Sequence, residues 1–69
     1  MVEVFKTDVK WQKQAKMLHA VLSRQFPFIK ISFDLADCDR ILRIEGSDFC
    51  PLKVIELLNH NGHQCLVLD

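Results

Sequence analysis

The side chains able to do chemistry here are few and widely spread. Cys38, Cys50 and Cys65 are an odd number at wide spacings with no CxxC pair, which fits reduced thiols better than a disulfide framework. Cys50 directly precedes Pro51 at the expected start of a helix, where backbone amides favour a thiolate, and is the best candidate for a reactive thiol. Cys65 lies among Leu66 and Val67 and reads as a small core residue. The spacing His60-x-x-His63 straddles a glycine turn, and two imidazoles with a nearby thiol would suit Zn²⁺ or Cu⁺. Asp34, Asp37 and Asp39 cluster as turn-formers do. His19 has no serine in a nucleophile-elbow pattern, and a chain with only Gly46 and Gly62 has no glycine-rich phosphate loop. The expectation is a non-catalytic protein with no cofactor.

The elements that must position these residues follow from a clean change of periodicity. Val2 to Thr7 is a β-type run. Trp11, Ala15, Leu18 and Leu22 form one helical stripe within Lys10 to Gln25, with Thr7 or Asp8 as its cap and Pro27 as its stop. Ile29, Ile31, Phe33 and Leu35 alternate with Lys30, Ser32 and Asp34, the pattern of a strand with one buried face. A turn at Ala36 to Asp39 leads to a second alternating strand, Arg40 to Glu45, ended by Gly46. Pro51 opens a second helix with Val54, Ile55 and Leu58 inward, and Gly62 stops it before a last strand, Gln64 to Leu68.

Sixty-nine residues give one domain, 1–69, burying roughly 60% of the unfolded chain's surface. The order βαββαβ predicts an α+β ferredoxin-like sandwich: a four-stranded antiparallel sheet, strand order 4-1-3-2, with both helices on one face. Nine basic and nine acidic side chains cancel, which argues against nucleic-acid binding and against a polybasic membrane anchor. Without 18 successive apolar residues no membrane span is expected. The opening Met1-Val-Glu-Val-Phe-Lys6 shows no basic head before an apolar stretch, so a cytoplasmic location is expected.

From about Leu18 onward the sequence resembles the heavy-metal-associated domain family of small copper and zinc carriers. The resemblance rests on Val21-Leu22, Phe26-Pro27-Phe28-Ile29, the hairpin from Ile31 to Gly46, Pro51-Leu-Lys-Val-Ile55, Leu58, Asn61-Gly62 and Cys65-Leu-Val-Leu68. It implies the same fold. The family's metal is held by a Met-x-Cys-x-x-Cys loop after the first strand, and there the chain departs: Val9 falls near the Met position, Trp11 and Gln14 near the two Cys positions. Neither an indole N–H nor an amide oxygen replaces a thiolate.

The fold gathers the loops Thr7 to Trp11, Ala36 to Asp39 and His60 to His63 at one end, so His60, His63 and Cys38 are the alternative metal ligands, with His63 where the family has an aromatic residue. Cys38 and Cys50 fall at opposite ends and form no redox pair. The sheet face away from the helices is expected to carry Phe5, Ile41, Arg43, Lys30, Ser32 and Asp34, joined by Leu66 or Leu68. One aromatic with balanced charge is a poor base-stacking platform. An apolar patch flanked by two edge strands instead suits a protein partner or a second copy of the chain.

Overall fold

Residues 1–36 and 38–68 are described by a computed structural model. Their order is β1 (Val2–Thr7), α1 (Gln12–Gln25), β2 (Lys30–Asp34), β3 (Ile41–Glu45), α2 (Pro51–His60) and β4 (Cys65–Val67). The strands form one antiparallel sheet in the order β2-β3-β1-β4, the expected 4-1-3-2 read from its other edge. The chain is a ferredoxin-like βαββαβ sandwich. Among the described residues no helix is long and apolar enough to cross a membrane.

Strand pleat decides what is buried. Phe5 faces Leu42 across the β1–β3 ladder, and Ile31 faces Ile44 across β2–β3, all on the helix-covered face. Ala15, Leu18 and Leu22 of α1 and Val54 and Leu58 of α2 close the core from above. The expectations for Phe5, Trp11 and the α1 cap need correction. Phe5 is fully buried and does not reach the open face, because its register opposite the core residue Leu42 gives it the core parity. Trp11 does not complete the α1 stripe: it is the residue that caps the helix, in extended conformation, and is 65% exposed. Val9 fills the core in its place.

Neither Thr7 nor Asp8 caps α1. The Gln14 Oε1 accepts instead from the backbone N–H of Lys10 and of Trp11, each at 3.3 Å, and the indole has no acceptor with which to reciprocate. The other helix ends as the sequence indicates. Gly62 takes φ +82°, its N–H donates to Asn59 O at 3.0 Å, and the His63 N–H donates to Leu58 O at 2.9 Å. These two bonds form a Schellman motif, and the glycine supplies its left-handed residue.

At the far end of the sheet, Gly46 lies against Ile29. A Cβ there would meet the Ile29 Cγ2 at 2.9 Å and its Cα at 3.3 Å, the first atom being held by a stiff β-branched side chain. Gly46→Ala is expected to destabilise by about 1–3 kcal/mol, read as a fall in the urea midpoint at constant slope.

Candidate functional site

The end of the domain where β1 finishes is organised by Thr7 and Asp8. The buried Thr7 hydroxyl donates to Arg40 O at 2.6 Å and accepts from the Val9 N–H at 3.2 Å. The Thr7 N–H is shared between Asp39 O and Arg40 O, both at 3.2 Å. Arg40 holds a left-handed φ of 51° and donates from its guanidinium to Leu35 O at 3.0 Å, closing the β2–β3 turn onto β1. Lys6 and Asp39 add an exposed ion pair at 3.7 Å.

Asp8 joins this end to the loop before β4. Its Oδ1 accepts from the Gln64 N–H at 3.0 Å and lies 3.1 Å from His63 Nδ1. The His63 side chain is only 11% exposed. His60 stands in other surroundings, on an open groove of about 370 Å³ between the helices, with Gln25, Phe26, Lys53, Glu56 and Leu57. Cys38 is exposed in the β2–β3 turn. Among the described residues no group of three or more His, Cys, Asp or Glu is placed to hold a metal ion, so His60, His63 and Cys38 do not converge as such a group. Asp37, the middle of the aspartate cluster, lies outside the described residues.

Cys50 is exposed at the residue before α2, with no side-chain capping bond. Cys65 is buried, and burial first, then the neighbouring Asp8 carboxylate, pushes its thiol up to about 12.

The open sheet face carries Lys30, Ser32, Asp34, Ile41 and Arg43, as the alternation requires, and the register of β4 opposite β1 sets Leu66 beside Lys6 there. Arg43 is tied to Glu45 at 3.0 Å. The two edges of the sheet differ in chemistry. On β2 the outward side chains include Lys30 and Asp34, whereas β4 is Cys65-Leu66-Val67 followed by Leu68, with no charge. Leu66 is 64% exposed, and Val67 and Leu68 are exposed beside it. The expected strand order 4-1-3-2 already places β4 at an edge and marks Leu66 or Leu68 as a surface residue; the structure adds that Leu66, Val67 and Leu68 are all exposed along it.

Two measurements follow. Thr7→Val keeps the shape but strips the buried hydroxyl from two backbone partners, so a loss of about 1–3 kcal/mol is expected by chemical denaturation. With iodoacetamide near neutral pH, Cys38 and Cys50 are alkylated first and Cys65 only on unfolding. Because the folded Cys65 holds its proton while an unfolded one releases it above its ordinary 9.0, this thiol's contribution to stability falls as pH rises from there to about 12.

No protein-family model, no curated protein and no solved structure matches the chain.

Proposed function

We propose that the chain is a small non-catalytic interaction module, a relative of the heavy-metal-associated domains without their CxxC site, which binds a protein partner through the β4 edge of its sheet. The observation that carries this reading is the unguarded β4 strand. Exposed edges of natural sheets are usually blunted with charge, proline or a covering loop, because a free row of N–H and C=O groups templates further pairing. Here one edge, β2, carries such charges and the other does not. An apolar edge in a chain of zero net charge is suited to strand addition, in which the backbone supplies affinity and alternate side chains supply specificity.

The competing reading, a Zn²⁺ or Cu⁺ binder through His60, His63 and Cys38, has one feature in its favour: the Asp8 carboxylate on His63 Nδ1 orients an imidazole as second-layer carboxylates do around metals. It lacks a converging ligand set among the described residues.

The test places a photo-crosslinking residue at Leu66 and, as a control, at Lys16 on the exposed side of α1, in cells. Protein adducts, a second copy included, are expected at Leu66 and not at Lys16; equal adducts at both, or none at Leu66, would overturn the reading. In parallel, Zn²⁺ is titrated into reduced protein and followed by histidine NMR shifts. Saturable one-to-one shifts at His60 and His63 tighter than micromolar would replace the interaction module with a metal carrier.

A further inference from the structure

The hydrogen-bond parity of the sheet fixes which backbone groups of β4 are free. In an antiparallel ladder, directly opposed residues alternate between pairs that exchange both bonds and pairs that exchange none. Gly46 donates to Met1 O at 2.9 Å and Thr7 donates toward Arg40, so the odd residues of β1 bond to β3. Leu68 donates to Val4 O at 2.8 Å, so the even residues bond to β4. With Phe5 opposite Val67 and Thr7 opposite Cys65, the N–H and C=O groups of Cys65 and Val67 turn away from β1 to the outer edge.

That geometry is self-complementary. A two-fold axis through Leu66 sets Cys65 opposite the partner's Val67 and Val67 opposite the partner's Cys65, two pairs that each exchange both bonds. Leu66 then meets the partner's Leu66 as a close non-bonded pair on the open face, apolar on apolar.

The helices supply the second half of the fit. α1 packs on β2 and α2 on β4, so α2 is the helix nearest this edge. Lys53, Leu57 and His60 turn toward α1, lining the groove with Phe26, while Val54 and Leu58 point into the core. At 100° per residue the flank left for the β4 side holds Leu52, Ile55 and Asn59, all uncharged. Leu52 is 71% exposed and Ile55 half-buried. Two helices over a four-stranded sheet leave each a share of two strands, a width of roughly 10 Å, which is the spacing at which helices pack. Joining two sheets at β4 therefore brings α2 beside the partner's α2 at packing distance, Leu52 and Ile55 inward. An added peptide strand would satisfy the edge but leave that flank bare. The smaller stable interfaces bury roughly 600 Å² per partner, an area that three strand residues do not supply without the helix flank.

We infer that the occupant of the β4 edge is a second copy of this chain, joined antiparallel about Leu66 into a continuous eight-stranded sheet with α2 packed on α2. This rests on the interaction-module reading above and names its partner.

The test is sedimentation equilibrium of the reduced chain from low micromolar to near-millimolar concentration, with NMR of a sample mixing isotope-labelled and unlabelled chains. A monomer–dimer equilibrium is expected, with an inter-chain Hα–Hα cross-peak at Leu66, the proton pair that this register brings close. Leu66→Lys sets like charges face to face across the axis, and Leu52→Glu puts a charge into the apolar flank between the helices. Each should weaken the dimer ~tenfold or more, while an unchanged amide spectrum outside the edge shows that the monomer still folds. A monomer at every concentration, a dimer indifferent to both substitutions, or one broken instead by Phe28→Ser at the opposite end would overturn the proposal. If the chain stays monomeric while Leu66 still crosslinks to a different protein, the self-pairing falls and the interaction module stands; if the Leu66 crosslink is absent too, both fall.

Discussion

The buried hydroxyl of Thr7 is the small constraint on which one end of the molecule depends. By donating to Arg40 O it ends the β1–β3 ladder at a fixed residue, and by accepting from the Val9 N–H it turns the chain sharply. The turn sends Val9 down into the core and leaves Asp8 on the outside. Asp8 then reaches the Gln64 N–H, one residue before β4 begins. A single hydroxyl thus ties the central strand to the β2–β3 turn and, through the next residue, to the start of the edge strand. Its bond from the buried Val9 N–H satisfies a donor held away from water, where an unpaired polar group costs more than a made bond returns, and its bond to Arg40 O adds to the one that oxygen already accepts from the Thr7 N–H.

Much of the architecture was legible because its signals are local and periodic. The alternation from Ile29 to Leu35, the i, i+3/i+4 spacing of Ala15, Leu18 and Leu22, Pro51 opening a helix and Gly62 closing one all describe what the chain does within a few residues of itself. What escaped depends on register between distant segments. Phe5 sits in a run, Val-Glu-Val-Phe-Lys, whose alternation does not say which parity faces inward; only pairing with Leu42 decides that. Trp11 falls on the stripe of α1 when the helix is drawn back to Lys10, and leaves it once Gln14 stops the helix at Gln12. Gln14 carries that signal in the sequence, as the glutamine of a half-made capping box.

The candidate site was legible in part. The shared end of three loops was a consequence of topology and needed no side-chain detail. That His63 leans on Asp8 while His60 faces the α1–α2 groove could not be read from their three-residue spacing, because the Schellman turn at Gly62 swings them apart in a way no helical wheel represents. The uncharged edge was legible in outline, since the crossovers alone place β4 outermost and one of Leu66 and Leu68 on the open face. That Val67, on the helix side, is exposed as well depends on how far α2 reaches over the edge, which no alternation pattern states.

The difference between the two edges also governs how far any assembly could grow. A sheet whose two borders were both apolar would extend without end, each added chain offering the next a fresh template. Here the borders are unlike: Lys30 and Asp34 stand along β2, and β4 has neither. Joining two copies through β4 would bury the apolar border twice over and turn a charged one outward on both sides. Such an assembly would be a closed pair rather than a filament, and the contact would remove the aggregation hazard of a bare apolar strand.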